Sequence, residues 1–321
     1  FMAYEIFLEC LLQNLQAALG EEFHFILRPL PRNNGVTLDG LTLQGPGAHL
    51  APTIYLNPYY QKLIHGSSLE SIVEEILQLY QTTPPPASLT AESVIDFEYL
   101  KDKVMFRMIH TASNQVLLSD VPHIPYLDLS IIFFLSLERT DTGQVTAMIH
   151  NSHARMWKVS ARDLWRLARE NTPREFPAEI QSMQELLQSM ARDTSQDTCD
   201  PSLLDLLLQA PSETIPLYVL SNQTGLYGAA CMIYQDILKD FAARLEKDLI
   251  VLPSSVHEVL LTPDSPDASY EDLSNMVRTI NTQEVPLEDQ LSNQVYLYTR
   301  SDDRIRIVSN SFPPVGAAAL S

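Results

Sequence analysis

Cysteine and basic residues are scarce in this chain. Its 321 residues include 3 cysteines, and 21 lysines and arginines face 40 aspartates and glutamates, which gives a formal charge of −19. The cysteines, Cys10, Cys199 and Cys231, share no CxxC or metal-ligand spacing, so we expect neither a zinc site nor a disulfide framework. So few thiols are typical of a protein from the reducing cytoplasm.

Long apolar segments are also missing from the sequence. No run reaches the roughly 18 uninterrupted apolar residues of a membrane span, and no basic segment followed by an apolar run indicates a secretion signal. We therefore expect a cytoplasmic protein with no membrane partner. The excess negative charge repels phosphate backbones, which disfavours nucleic-acid binding. Apolar residues make up 45% of the chain, which is enough for a folded core.

Helical and strand patterns alternate irregularly, which predicts an α+β fold with mixed sheets and packed helices. Residues Leu129–Leu137 and Val145–His150 read as two strands joined at Asp141-Thr142-Gly143, so we expect a central β-hairpin. Apolar residues at helical spacing predict further helices, among them residues 4–19, 68–80, 180–190 and 229–247.

Two linkers divide the predicted fold. Pro84, Pro85 and Pro86 favour an extended segment, and the polar run 192–202 has no structural period. We expect three units and a frayed tail: an N-terminal α+β unit in 1–83, a central hairpin-helix unit in 90–192, a C-terminal β-α-β unit in 203–300, and the tail in 301–321.

The C-terminal unit carries the most specific expectation. A strand in 215–222 precedes the helix in 229–247, and a second strand in 249–252 follows. Because the helix retraces the length of the first strand, both strands should run in the same direction. The segments after the two strands would then meet at one edge of a sheet, where ligands commonly bind.

These two segments contain the predicted ligand site. Free amides at the start of the long helix favour an anion, so we expect a small anionic or polar ligand. The same residue types are common in turns, and a purely structural role stays open. The loop lacks the motifs of a phosphate-binding loop and of a dinucleotide site, so we predict no cofactor. The site residues are Asn222, Gly225, Gly228, Ser254, Ser255, His257 and Glu258.

A catalytic interpretation of this edge is weaker. Ser254 or Ser255 could form a nucleophilic site with His257 and a nearby acid, but residues this close on a strand alternate between its faces. No GxSxG or SxxK motif accompanies them.

The spacing of the remaining histidines gives no reason to expect a metal site. His150 and His153 lack the companion ligands that a metal requires. We expect His110, His123 and Asp128 to be scattered, with the histidines in structural roles.

Basic residues concentrate in one helical segment. On the helix capped by Ser160, the residues Arg162, Arg166 and Arg169 follow i, i+4, i+7 spacing. We expect either a docking surface for an acidic protein partner or a solvated helix face with local ion pairs.

Several short sequence segments of the chain resemble those of a known family. They include Ala51-Pro-Thr-Ile-Tyr-Leu-Asn, Asp120-Val-Pro-His, Glu170-Asn-Thr-Pro and Leu252-Pro-Ser-Ser-Val-His-Glu. With them, roughly residues 4–300 resemble an uncharacterised bacterial family, domain of unknown function 5688, which is common in gut anaerobes. The resemblance implies a bacterial cytoplasmic protein, and it supplies no activity or catalytic residues.

The leading hypothesis is a non-catalytic protein that binds a protein partner or a small polar or anionic ligand. One alternative is a hydrolase or transferase with its site at the edge formed by Asn222–Gly228 and Ser254–Glu258. Another alternative is a host-interaction or defence-associated module, which only the uneven charge of the chain supports. The absence of a catalytic motif favours the first.

Overall fold

The computed structural model describes residues 2–46, 53–82, 96–140, 143–186, 216–283 and 285–309. The predicted linkers at 84–86 and 192–202 lie outside these residues, as do Asp141 and Thr142 of the hairpin turn. The chain divides into two compact units. Unit 1 comprises Phe1–Arg32, Val36–Lys101 and Leu137–Val145, and unit 2 comprises Asn33–Gly35, Asp102–Ser136 and Thr146–Ser321.

Unit 1 packs helices on a small antiparallel sheet with strand order β1-β2-β3. Its core joins Phe7, Leu11 and Leu15 of the first helix to Leu41 and Leu43 of the second strand. The elements are α1 (Tyr4–Leu19), β1 (His24–Pro31), β2 (Thr37–Gln44), β3 (Thr53–Tyr55), α2 (Asn57–Ile64), α3 (Leu69–Thr82) and α4 (Phe97–Leu100).

A four-stranded sheet contains the predicted hairpin. Its central strand, β6, pairs with three others, and the hairpin of β6 and β7 is confirmed. The strands are β4 (Val104–His110), β5 (His123–Tyr126), β6 (Leu129–Thr140) and β7 (Gly143–Met148). The helices of this part of the chain are α5 (Gln115–Leu118), α6 (Asn151–Trp157) and α7 (Ala161–Glu175).

A six-stranded sheet has the order β13-β12-β10-β11-β9-β8, and its neighbouring strands are antiparallel. A helix packs Val277 against Ile250, Leu252 and Leu260 of this sheet. The elements are β8 (Ala178–Ser182), β9 (Tyr218–Asn222), α8 (Ile237–Leu245), β10 (Leu249–Leu252), β11 (Val259–Pro263), α9 (Tyr270–Gln283), β12 (Tyr296–Thr299) and β13 (Arg304–Ile307).

The α+β class is confirmed, with three corrections. The sheets are antiparallel rather than mixed, because β11 lies between the co-directional strands β9 and β10. Residues 180–182, expected to begin a helix, belong to β8, whose pairing with β9 outweighs their helical spacing. Residues Arg304–Ile307 of the expected frayed tail form β13, which pairs with β12.

Helix α7 closes the free edge of β4. Among the strands that the structure describes, β4 pairs with β6 alone, so backbone groups on its other side need partners. The Phe106 amide donates to Thr172 Oγ1 at 3.0 Å, and Asn171 Nδ2 donates to the Val104 carbonyl at 3.1 Å. Both helix residues are buried. Side chains of α7 therefore take the place of a neighbouring strand.

The substitution Thr172→Val should lower the free energy of unfolding by about 1–3 kcal/mol, because it leaves the buried Phe106 amide without an acceptor. Thr172→Ser is the control, since it keeps the hydroxyl and removes only a methyl group. Urea unfolding of both variants measures the difference. If Thr172→Ser costs as much as Thr172→Val, the hydrogen bond does not hold the helix on β4.

Candidate functional site

The two predicted site segments meet at one edge of the six-stranded sheet. Strands β9 and β10 are both antiparallel to β11, so they run in the same direction, as expected from the sequence. Their carboxyl ends lead into residues 222–228 and 253–258. Ser221 Oγ at the end of β9 donates to the His257 carbonyl at 2.7 Å, which ties the two segments together.

Asn222 shapes the first segment into a compact loop. Its buried side chain accepts hydrogen bonds from the Thr224 amide at 3.0 Å and the Thr224 hydroxyl at 2.8 Å. Its Nδ2 donates to the Leu226 carbonyl at 2.7 Å. Such Asx turns stabilise tight loops. The Asn222 side chain therefore serves the loop itself, with both ends engaged inside it.

Gly228 sits where the loop passes closest to the second segment. A Cβ atom added at Gly228 would overlap Ser221 Oγ and the His257 carbonyl oxygen, and it would lie 2.9 Å from the Asn222 amide nitrogen. Two of these three atoms belong to the backbone, which cannot move aside easily. Glycine is required here by close approach.

The second segment pairs with residues 289–292. The Val256 amide donates to the Asp289 carbonyl at 2.8 Å, and the Leu291 amide donates to the Ser254 carbonyl at 2.9 Å. Ser254 and Ser255 are each 4% exposed. The Ser255 hydroxyl accepts a hydrogen bond from the His257 amide at 3.0 Å. Both serines thus lie inside the fold at this edge.

His257 joins three chain segments, and we call this arrangement the His257 junction. Its Nδ1 lies 3.1 Å from the Gly225 carbonyl, and its Nε2 lies 3.2 Å from Asp289 Oδ1. A carbonyl and a carboxylate are both acceptors, so the doubly protonated imidazolium satisfies both contacts. In the neutral ring, Nδ1 can instead accept from the Tyr227 amide, 3.4 Å away.

The environment of His257 raises its pKa. Burial alone lowers the pKa because it penalises the charged ring, but other contacts outweigh it. These are the hydrogen bond and the charge of Asp289, the charge of Glu258 and the hydrogen bond to the Gly225 carbonyl. The junction is therefore strongest when His257 carries its proton.

Aromatic and cationic groups extend the junction. The Tyr227 ring is stacked on His257 with an interplanar angle of 9° and centroids 5.9 Å apart. The guanidinium carbon of Arg107 lies 4.3 Å from the Tyr227 centroid, and Phe134 contacts the same ring edge-on. Tyr227 takes the left-handed conformation with φ of 53°, which most side chains avoid.

The structure brings most of the predicted site residues together. Gly225, Gly228, Ser255 and Glu258 all lie at or beside His257, through the hydrogen bonds, close approach and charge given above. The Asn222 side chain instead bonds within its own loop, and the Ser254 carbonyl accepts from the Leu291 amide. Whether these residues bind a ligand stays a prediction.

Three members of the junction were not predicted: Asp289, Tyr227 and Arg107. Asp289 belongs to the short 3-10 helix Leu287–Asp289, which is 30 residues distant in the chain and has no motif. Tyr227 lies inside the predicted loop, but its stacking depends on the left-handed backbone. No sequence signal pairs Arg107 of β4 with this loop.

The prediction of one long helix over residues 229–247 is wrong. A 3-10 helix spans Gly228–Ile233, and α8 begins only at Ile237. Between them Tyr234 is extended and Asp236 has φ of 63°, so the helical hydrogen bonds are interrupted. A short 3-10 helix, and not the start of a long α-helix, therefore follows the loop at this edge, so the expected anion-binding amides of a long helix are not present there.

The predicted arginine stripe, Arg162, Arg166 and Arg169, lies on the exposed face of α7. Helix α7 begins at the expected cap, where the Asp163 amide donates to Ser160 Oγ. Arg166 pairs with Asp163. Among the described residues, no carboxylate forms an ion pair with Arg162 or Arg169.

A shallow cleft of about 540 Å³ lies beside the start of α7, and we call it the basic cleft. Arg155 and Lys158 are its cationic members, and Asp163 is its acidic one. Lys158 ends α6 in the left-handed conformation, with φ of 57° and ψ of 41°. Glycine is preferred there, and a lysine costs about 1 kcal/mol more.

His110 and Asp128 come together, although we expected them to be scattered. Their Nε2 and Oδ2 atoms are 3.7 Å apart, and Asp128 also accepts hydrogen bonds from Ser292 at 2.6 Å and from Tyr296. Burial lowers the pKa of His110 more than the charge of Asp128 raises it. A neutral histidine beside a satisfied carboxylate is consistent with the expected structural role.

His150 binds Asp120 rather than a metal ligand set. Its Nδ1 lies 2.8 Å from Asp120 Oδ2, and the His153 ring stacks on Trp157. Within the described ranges, no group of three His, Cys, Asp or Glu residues is arranged to hold a metal ion. In those same ranges, no helix has the length and apolar character needed to cross a membrane.

Comparison with known proteins identifies the family. Residues 4–300 match the model of the Family of unknown function (DUF5688). This match covers most of the chain, and the protein belongs to that family. No curated protein and no solved structure matches the chain.

Gly228→Ala should lower the free energy of unfolding by about 3 kcal/mol, because the new Cβ has no room between β9 and the His257 carbonyl. Gly225→Ala is the matched control. Nothing lies within 4 Å of its added Cβ, but its φ is 71°, so a loss of about 1 kcal/mol is expected. Denaturant unfolding measures both, and equal losses would contradict a special packing role for Gly228.

His257→Gln should destabilise the protein more at pH 5.5 than at pH 9. The folded-state pKa is raised, so the junction contributes its full stability below the unfolded pKa and loses it as pH rises through the folded pKa. The difference should be about 1 kcal/mol, because His257 and Asp289 are each about a third exposed and solvent screens the pair.

Thermal unfolding of wild type and variant at both pH values tests this expectation. Asp289→Asn serves as the second variant, since it removes the partner charge and should abolish the same pH dependence. A deficit in His257→Gln that is equal at both pH values would show that the charged ring does not stabilise the junction.

Proposed function

We propose that this protein is a non-catalytic binding protein that docks an acidic protein partner on the arginine stripe. One observation carries the proposal. Arg162, Arg166 and Arg169 are exposed together on α7, whose opposite face is buried against β4, in a chain with a net charge of −19. A rigidly held cationic surface attracts the carboxylates of an acidic partner at short range.

The charge around the stripe differs from that of other exposed helices. Residues 155–175 contain six basic and three acidic residues. Around α8, by contrast, Lys239, Arg244 and Lys247 are interspersed with Asp236, Asp240, Glu246 and Asp248. Lys239 is 3.7 Å from Asp236, so local acids compensate charge there. The stripe therefore has an excess of positive charge that α8 lacks.

Arginine suits the recognition of carboxylates. Its planar guanidinium donates two parallel hydrogen bonds to one carboxylate, which lysine cannot do. Arg162 and Arg169 retain this capacity, while Arg166 shares its charge with Asp163. A nucleic acid carries dense negative charge beyond the stripe, where the acidic surface repels it, whereas a short acidic protein segment can place its charge on the stripe alone.

The contacts of His257 weigh against the hydrolase alternative. Its two ring nitrogens face the Gly225 carbonyl and Asp289, and the Ser255 hydroxyl contacts the His257 amide rather than the ring. A general base needs hydrogen-bond reach to the nucleophile it activates. These contacts support a structural role for the junction.

A cytoplasmic location is part of the same proposal. Cys10 and Cys231 are free thiols, and burial raises the pKa of Cys231 to about 12, so it stays protonated and unreactive. Free thiols suit a reducing compartment.

The triple variant Arg162→Glu, Arg166→Glu, Arg169→Glu tests the docking surface. A fluorescent ten-residue glutamate peptide is the probe, and fluorescence anisotropy measures its affinity at 50 mM and 200 mM salt. Wild type should bind the peptide and bind it more weakly at the higher salt, because salt screens exposed charges. The variant should bind at least about tenfold more weakly at 50 mM salt.

The matched control is Lys239→Glu, Arg244→Glu, Lys247→Glu, which changes the net charge equally and leaves the stripe intact. It should keep most of the wild-type affinity. An equal loss in both triple variants would mean that only net charge matters. Tighter binding of a ten-nucleotide single-stranded DNA than of the peptide would also overturn the proposal.

A further inference from the structure

We infer that the basic cleft binds the phosphate group of a small molecule, held between Arg155 and Lys158. This inference goes beyond the docking of an acidic protein and uses different residues. The volume of about 540 Å³ is within the range of small-molecule sites. Since the cleft is shallow, it suits a charged group that stays partly hydrated.

Two cations line the cleft without a competing ion pair. Arg155 and Lys158 are exposed, and among the described residues neither forms an ion pair with a carboxylate. Arg155 offers a planar fork of donors, and Lys158 offers a compact ammonium group. Together they complement the two negative charges of a phosphate monoester.

The carboxylate of Asp163, the acidic residue of the cleft, already has hydrogen-bond and ion-pair partners. Asp163 accepts hydrogen bonds from the Ser160 amide at 2.9 Å and the Ser160 hydroxyl at 2.6 Å, and it pairs with Arg166. Its charge is thus directed into the cap of α7 and toward Arg166. The two cations remain as the net charge of the cleft.

The strained backbone of Lys158 also supports a binding role. Lys158 adopts a left-handed conformation at the end of α6, where its amide caps the Ala154 and Arg155 carbonyls. A glycine would take this position with less strain than a lysine. A strained residue that presents a charge to a cleft indicates a role in binding.

The geometry of the cleft also suits an oxyanion. Ser160 and Ala161, at the start of the 15-residue helix α7, are part of the lining. The positive end of a helix dipole favours a negative group nearby. Because Asp163 already accepts from the Ser160 amide at this helix start, the cationic side chains supply most of the attraction for the ligand group.

The variants Lys158→Gly and Arg155→Gln test this inference. The probe is inorganic phosphate, titrated at constant ionic strength and followed through the backbone amide shifts of residues 159–161 by NMR. Wild type should show saturable binding. Each variant should bind phosphate at least about tenfold more weakly, since each removes one of two charges.

Thermal unfolding separates the binding role from a structural one. Lys158→Gly should raise Tm by about 1–3 °C in the absence of phosphate, because it relieves the left-handed strain. Weaker phosphate binding in a variant that is at least as stable as wild type cannot result from unfolding. A lower Tm for Lys158→Gly would contradict the strain argument and overturn the inference.

Lys239→Gln is the control for non-specific charge, since Lys239 is exposed on α8 and is absent from the cleft lining. It should bind phosphate as wild type does. Absence of saturation in wild type, unchanged affinity in Lys158→Gly, or equal weakening in Lys239→Gln would each overturn the inference. Acetate at the same concentration should displace little phosphate from the cleft. If acetate binds with the same affinity as phosphate, the ligand group is a carboxylate and the inference is overturned. The glutamate-peptide experiment can fail without affecting any of these outcomes.

Discussion

The free edge of β4 is closed by helix side chains, and the surface features of this region depend on that closure. An edge strand exposes backbone donors and acceptors that must be satisfied or covered. Thr172 and Asn171 supply hydrogen-bonding groups to Phe106 and Val104, so one face of α7 is held on the strand. The opposite face must then point to solvent, and that face carries the arginine stripe.

At the His257 junction, side-chain hydrogen bonds likewise hold neighbouring loop segments together. Three segments meet at one imidazole, whose nitrogens face the Gly225 carbonyl and Asp289, and backbone hydrogen bonds between residues 253–256 and 289–292 add to these contacts. Close approach at Gly228 brings the segments within reach of one another. These contacts hold the two predicted site segments and Asp289 together at this edge of the sheet.

Local patterns predicted much of the fold and part of the site. Residues 4–19 were predicted to form a helix and do form α1, and Ser160 was identified as the cap of α7, because periodicity and capping are properties of neighbouring residues. The break between Gly228–Ile233 and α8 was not predicted. Apolar spacing continues through it, and only the backbone at Tyr234 and Asp236 reveals the interruption.

The sequence by itself determined the α+β class and the spacing of the arginine stripe, since both follow from periodicity. The shared direction of β9 and β10 was also predicted, but the single long helix on which that prediction rested is interrupted. Tertiary structure alone decided that β11 separates those strands, that Asp289 meets His257, and that Lys158 faces a cleft. These contacts join residues whose distance along the chain carries no information about their separation in space. They depend on how strands pair and loops close, and neighbouring residues do not encode them.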